Sequence, residues 1–167
     1  MAQRTEDNLQ TAFMGESTAV RRYTLFAEKA EEDGQPQAAR LFRAAAQAEA
    51  IHARNHLTVM GAIGSTKDNL LAAVIGEQQE TIGMYPIMIA DAQADRNDRA
   101  EQSFTWANAV EKRHQRMFED ALAAIKAGQE PEETACYVCR LCGDTRLGTA
   151  PDTCPVCGAA NSYEEVA

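Results

Sequence analysis

The sequence predicts a mainly α protein: a bundle of four helices followed by a short cysteine-rich module. Three observations point there. Residues 1 to about 127 are dominated by Ala, Glu, Gln, Arg and Leu, all good helix formers. Apolar positions in that stretch recur at spacings of three and four. All five cysteines fall between Cys136 and Cys157. A chain of 167 residues allows one domain, or one domain and a small module.

Segment A runs from about Asn8 to Glu32 and stops at Asp33-Gly34, with the stripe Leu9, Phe13, Glu16, Val20, Tyr23, Ala27, Ala30. Segment B starts near Pro36, a good first-turn residue, and fades between Gly61 and Gly64. Its stripe is Ala38, Leu41, Ala45, Glu49, His52, His56, Val59. Segment C begins at Ser65 or Thr66, either of which suits an N-cap. Its stripe is Leu70, Val74, Glu77, Thr81 with Glu80, Met84, Met88, and Pro86 should kink it. Segment D runs from about Asp98 to Ala127 and ends at Gly128, with Phe104, Ala107, Glu111, His114, Phe118, Ala121, Ile125. Four such stripes suggest an antiparallel or ferritin-like bundle. The expected domains are a helical domain over 1–128, a polar linker over 129–135 and a cysteine module over 136–167.

Composition removes several classes of function. Twenty-five acidic against 16 basic residues give a net charge of −9, with no basic block to neutralise phosphates, so nucleic acid is not an expected partner. The same balance disfavours an anionic membrane surface, and the run Leu70 to Ile75 is far too short to span a bilayer. The N-terminal residues Met1 to Asp7 carry no apolar stretch resembling a signal peptide, so the expected location is the cytoplasm. An apolar share of 45% argues against disorder.

Each stripe is interrupted near its middle by carboxylates. Glu16 lies in A, Glu49 with His52 in B, Glu77 with Glu80 in C, and Glu111 with His114 in D. Spacing of three puts each pair on one helix face. Five ionised glutamates in a bundle interior would be prohibitively costly unpaired. Two cations compensate them, and carboxylate-plus-imidazole ligation with open positions suits iron or manganese that meets oxygen species. One Glu from each of two helices plus Glu-x-x-His from each of the other two is the pattern of di-metal carboxylate bundles. The competing reading is a set of solvated helix faces. Any single Glu-x-x-His is weak; two of them, in alternate helices, with mid-stripe glutamates in the others, are not. His56 shares the face of His52 and reads as an alternative ligand, a hydrogen-bond donor, or a part-buried residue at the bundle end. Tyr23 and Tyr85 could each place a phenol near the metals, or simply pack.

The tail reads Cys136-Tyr-Val-Cys139-Arg-Leu-Cys142-Gly143 and then Cys154-Pro155-Val-Cys157-Gly158. Two Cys-x-x-Cys-Gly knuckles, Cys139/Cys142 and Cys154/Cys157, form a strong tetrathiolate signature. Cys136 lacks a usable glycine and reads as a spare thiol, and a redox disulfide is the competing reading for the pairs. Spacing does not separate iron from zinc; a redox di-metal bundle on the same chain favours iron, with zinc as a substitute.

In order, Gly15-Glu16-Ser17, Arg22-Tyr23, Glu49-x-x-His52, Glu77-x-x-Glu80, Met84-Tyr85-Pro86, Glu111-x-x-His114 and the terminal knuckles resemble the rubrerythrin family over nearly the whole chain. The resemblance implies a ferritin-like di-iron bundle joined to a rubredoxin-like iron centre. It implies reduction of hydrogen peroxide to water in oxidative-stress defence, with electrons ultimately from NAD(P)H through a separate reductase or rubredoxin. By resemblance Glu49 and Glu111 bridge the irons, Glu16 and Glu80 bind one, and Glu77 with His114 bind the other. His52 can replace Glu80 on reduction. Cys139, Cys142, Cys154 and Cys157 hold the third iron, which re-reduces the pair one electron at a time.

The connection between B and C is short. If B continues to Met60 and C starts at Thr66, a parallel C requires the chain to climb back about 29 Å. Residues 61–65 span at most about 18 Å fully extended. The expectation is therefore a domain-swapped homodimer in which A–B of one chain pairs with C–D of another. Each site would take Glu16, Glu49 and His52 from one chain and Glu77, Glu80, Glu111 and His114 from its partner. Two other readings remain: a ferroxidase or iron-handling protein using oxygen at the same centre, which needs no tetrathiolate carrier, and a zinc-ribbon interaction module, which leaves the mid-stripe glutamates unexplained.

Overall fold

The computed structural model describes Gln3–Val166. Five α-helices come first: α1 (Gln3–Glu32), α2 (Pro36–Met60), α3 (Thr66–Gln79), α4 (Tyr85–Ala94) and α5 (Asp98–Lys126). Strands β1 (Cys136–Cys139), β2 (Thr145–Leu147) and β3 (Tyr163–Val166) follow. The chain forms two compact units, residues 1–64 and 65–167.

The first unit is the helical hairpin α1–α2. Gly34, at φ 69°, makes the left-handed turn that ends α1, and Pro36 opens α2. Every residue of the expected α1 stripe is buried or half-buried. The α2 stripe differs from expectation. Leu41 and Val59 are exposed, whereas Ala39 and Ala53 are buried and Phe42 is half-buried. A helix with apolar residues on two sides gives no periodic clue to which side its hairpin partner takes. Here small alanines allow close approach to α1, while Tyr23, Phe26 and Phe42 cluster with centroids 5.5 to 6.3 Å apart.

α2 keeps its full length to Met60, where Gly61 at φ 65° caps it, its N–H turning back to the carbonyl of Thr58. α3 starts at Thr66 with Ser65 as N-cap. The Ser65 hydroxyl accepts from the Asp68 N–H, and the Asp68 carboxylate accepts from the Ser65 N–H. Such a reciprocal cap stabilises a helix start by about 1 kcal/mol.

In the second unit α3 and α4 pack on α5. Between α3 and α4 lies a π-helical turn, Glu80–Met84, in which the Tyr85 N–H reaches the Glu80 carbonyl. This is how the chain accommodates Pro86: proline offers no N–H and crowds the carbonyl four residues back, and one extra residue in the turn relieves both. Buried Thr81 ties that turn to α5 through the Gln115 side chain at 3.4 Å. Asn97 caps α5 by accepting from the Ala100 N–H at 3.2 Å.

The three strands form an antiparallel sheet in the order β2-β1-β3. So little sheet cannot build a core of its own; its buried residues are Cys139, Asp144, Cys154 and Ser162. None of the helices among the described residues is long and apolar enough to cross a membrane.

Candidate metal centres

In the α1–α2 hairpin, Glu16, Glu49 and His52 bring one donor atom each within 4.8 Å of one another. His52 Nδ1 lies 2.8 Å from Glu49 Oε2 and 3.8 Å from Glu16 Oε1. Both carboxylates are part-buried, whereas the His52 side chain is 53% exposed.

The second unit holds a matching trio. Glu77 on α3 and Glu111 with His114 on α5 also place donors within 4.8 Å. His114 Nδ1 is 2.6 Å from Glu111 Oε2. Burial, then the charge of Glu111 and a hydrogen bond shared with it, then Glu80, push Glu77 up to about 7. Burial and Glu111 also raise Glu80, with His114 opposing. Tyr85 is raised by burial and then by Glu80, Glu111 and Glu77, so its phenol lies in the field of these carboxylates. Tyr23 instead joins the aromatic cluster of the first hairpin. Of the seven expected di-metal ligands, six fall into the two trios, and Glu80, at the head of the π turn, stands outside them. His56 joins neither trio and is half-buried.

Burial and the neighbouring carboxylates keep Glu77 partly protonated near pH 7, and a cation can take the place of that proton. Cis donors on a six-coordinate ion with bonds near 2.1 Å lie about 3 Å apart. The Glu49–His52 and Glu111–His114 pairs, at 2.8 and 2.6 Å, are close to that spacing.

In the tail Cys139, Cys142, Cys154 and Cys157 gather their sulfurs within 4.8 Å, and Cys136 is not among them. The edges Cys139–Cys157 and Cys142–Cys154 measure 3.7 and 3.5 Å. A tetrahedron with metal–sulfur bonds of about 2.3 Å has edges of about 3.8 Å, so the four thiols fit such an ion. The two knuckles repeat one geometry. Gly143 at φ 80° donates to the Cys139 carbonyl, and Gly158 at φ 77° donates to the Cys154 carbonyl, each at 2.8 Å. Both turns need the left-handed conformation that glycine tolerates. The first cysteine of each knuckle is the buried one. Burial raises the Cys139 thiol, but the Ser162 hydroxyl and the N–H groups of Cys142 and Leu141 outweigh it, leaving the group at about 6. Cys154 is likewise lowered on balance, by Tyr163 and the N–H groups of Cys157 and Val156 against burial. Cys142 and Cys157 are raised, by burial first.

Residues that sequence reasoning missed join this tail to α5. The Asp144 carboxylate has no exposed surface and accepts from Arg113 Nε and Arg146 Nε, each at 2.8 Å, and from the Tyr163 hydroxyl. Next to it, Thr145 Oγ1 lies 2.8 Å from His114 Nε2. No periodic pattern marks these residues, since their partners are 31 positions away.

The rubrerythrin family model matches residues 7–122, and the model of the rubrerythrin rubredoxin-like domain matches residues 137–163. The chain belongs to the rubrerythrin family. It is 38% identical to rubrerythrin-2 of Clostridium acetobutylicum, over 92% of this chain and 91% of that one. Nigerythrin of Nitratidesulfovibrio vulgaris is 34% identical over 92% of this chain and 81% of its own. The structure of nigerythrin in a partially reduced state aligns with a TM-score of 0.58 and 32% identity, covering 97% of this chain and 86% of that one. As in the rubrerythrin family, the metal complement is a di-iron pair and a tetrathiolate iron, which the donor sets above fit. The protein is a di-iron, rubredoxin-linked oxidoreductase of the kind that acts in oxidative stress.

Proposed function

We propose that the protein is a peroxidase that reduces hydrogen peroxide to water. The observation that carries this reading is the conjunction, on one chain, of two Glu–Glu–His trios with a four-sulfur site. When bound, the di-iron pair supplies two electrons together, and the tetrathiolate iron restores them singly. A protein that only stores iron has no use for the sulfur site. Glu16, Glu49, His52, Glu77, Glu80, Glu111 and His114 would hold the di-iron pair, with Glu49 and Glu111 shared between the two ions, and Cys139, Cys142, Cys154 and Cys157 would hold the third iron. Tyr85, kept protonated by burial and its acidic neighbours, is a phenol able to donate a hydrogen bond into the site.

The working unit on this reading is a domain-swapped homodimer. Each trio supplies half of a ligand set, and α2 and α3 keep their full lengths up to Met60 and from Thr66. The five residues between them reach about 18 Å at most, short of a parallel return within one chain. Leu41, Ile51 and Val59 on one hairpin and Leu71, Ile75 and Ile82 on the other are exposed, as faces awaiting a second copy would be. The remaining organisation is a helical domain over 1–128, a linker over 129–135 and a rubredoxin-like domain over 136–167. Electrons come from NAD(P)H through a reductase or rubredoxin in a reducing cytoplasm.

The test is anaerobic stopped-flow mixing of fully reduced, iron-analysed protein with peroxide and, separately, with oxygen. The expected result is oxidation of both centres at least tenfold faster by peroxide. Faster oxidation by oxygen, or a tail loaded natively with zinc, would remove the peroxidase reading.

A further inference from the structure

In the second unit α5 and the cysteine tail meet through two pairs of neighbouring residues. On α5, Arg113 and His114 are adjacent, and so are Asp144 and Thr145 on the tail. The two pairs meet in register: Arg113 Nε donates to Asp144 Oδ1 at 2.8 Å, and His114 Nε2 lies 2.8 Å from Thr145 Oγ1. Asp144 is held from the tail side by Arg146 and Tyr163, and its own carbonyl accepts the Cys139 N–H at 2.9 Å. The helix is thereby fixed to the cysteine knuckle through a fully buried carboxylate.

The hydroxyl of Thr145 has one proton, and it donates that proton to the Gly143 carbonyl at 3.0 Å. Toward His114 it is therefore an acceptor, placed to receive a hydrogen bond from an Nε2–H of His114. Nδ1 lies 2.6 Å from Glu111 Oε2, and a metal ion bound at Nδ1 would leave the neutral ring with its proton on Nε2, facing Thr145. Gly143 follows Cys142, one of the four sulfur donors. A continuous path of covalent segments and two hydrogen bonds thus runs from Cys142 Sγ through Gly143 and Thr145 to the imidazole of His114, all within one chain.

We infer that Thr145 is a positioning residue that couples the tetrathiolate centre to His114 of its own chain, with the Arg113–Asp144 pair as the clasp that keeps the two in register. The electron that leaves a ferrous tetrathiolate iron, making it ferric, reduces one ferric ion at the Glu77–Glu111–His114 half-site to ferrous. No atom is transferred, and a one-electron donor protein refills the tetrathiolate site. The inference rests on the proposed iron content but not on the oxidant.

The experiment uses the all-ferric holoprotein and no peroxide or oxygen. A flash-generated reductant reduces the tetrathiolate site, and the return of its ferric-thiolate absorption reports electron transfer to the di-iron centre. Thr145→Val should slow that return by about 10- to 100-fold, the range for losing the outer partner of a metal-bound histidine. Thr145→Ser, which keeps the hydroxyl, should restore it. In the reduced protein, the exchangeable Nε2–H proton resonance of His114 should be sharp in wild type and in Thr145→Ser, and lost to solvent exchange in Thr145→Val. An unchanged rate in Thr145→Val, an equal loss in valine and serine variants, or a persistent Nε2–H signal in the valine variant overturns the inference. If Thr145→Val fails to hold the ferric-thiolate band, Arg113→Lys loosens the clasp from the helix side with the tail sequence intact. A slowed return there supports the route, and an unchanged one overturns it. A protein that prefers oxygen would still pass, so failure of the peroxidase reading and failure of this route are separable.

Discussion

Arg113 Nε donates to a carboxylate of Asp144 that has no exposed surface, at 2.8 Å, so the cysteine sheet is anchored to α5 by an ion pair whose acidic half is fully buried. Burial disfavours the Asp144 charge, but Tyr163, Arg146 and Arg113 together hold the group below its ordinary value of 3.8. A carboxylate lowered in the folded state contributes stability above its unfolded value, lost as pH falls through the folded one. The tail should therefore keep this contribution at neutral pH and lose it only below about pH 4. Asp144→Ala removes the acceptor of two part-exposed guanidinium groups and of Tyr163 and should cost about 2 kcal/mol. Thermal loss of the ferric-thiolate band, followed at pH 7 and pH 3, checks both statements.

Glu77, pushed up to about 7 by burial and by Glu111, behaves in the opposite sense. In metal-free protein the folded state holds a proton that the unfolded chain releases near its ordinary value of 4.5. Metal-free stability should thus fall as pH rises from about 4.5 to 7. Metal must displace that proton, so affinity should weaken as pH drops below about 7, with proton release on loading. Titration of metal-free protein with ferrous ion in buffers of different ionisation enthalpy measures the release; none at pH 6 would contradict the shared proton.

Glu80 stands outside the trio of Glu77, Glu111 and His114, on the π turn. As the ligand proposed to exchange with His52, it should matter to turnover and not to the tail. Glu80→Ala should lower peroxide turnover by at least about tenfold while leaving the ferric-thiolate spectrum intact. Unchanged turnover would contradict its role.

The cysteines offer a sharper contrast. Cys154 is buried among the four sulfurs, and Cys136 lies outside them. Cys154→Ser should abolish the ferric-thiolate band, and Cys136→Ser should leave it unaltered. Spectra of the two variants at equal iron loading decide.

The proposed swapped assembly makes a prediction about mixtures. Glu49→Ala and Glu111→Ala chains are each expected to be inactive alone. Co-expressed, a swapped heterodimer rebuilds one intact site from the unaltered hairpins, giving about a quarter of wild-type turnover in a statistical mixture. Sites closed within single chains would give none.

The amino-acid sequence by itself determined the local features. Helix ends were legible at Pro36, Ser65 and Gly61 because caps act over three or four residues. The clustering of the Glu-x-x-His pairs and of the cysteine knuckles was legible because donors on one helix turn or one tight turn have fixed spacing. The short connection over 61–65 was legible as a plain length. Other features depended on which surfaces meet, and that is a sum over distant residues. Only the tertiary structure decided that α2 turns Ala39 and Ala53 inward in place of Leu41, and that Pro86 is met by a π turn that sets Glu80 apart. It alone brought Asp144 and Thr145 to Arg113 and His114, 31 positions away, where no periodicity links donor to acceptor. Short-range spacing places the candidate donors; long-range packing raises Glu77 and brings the cysteine tail against α5.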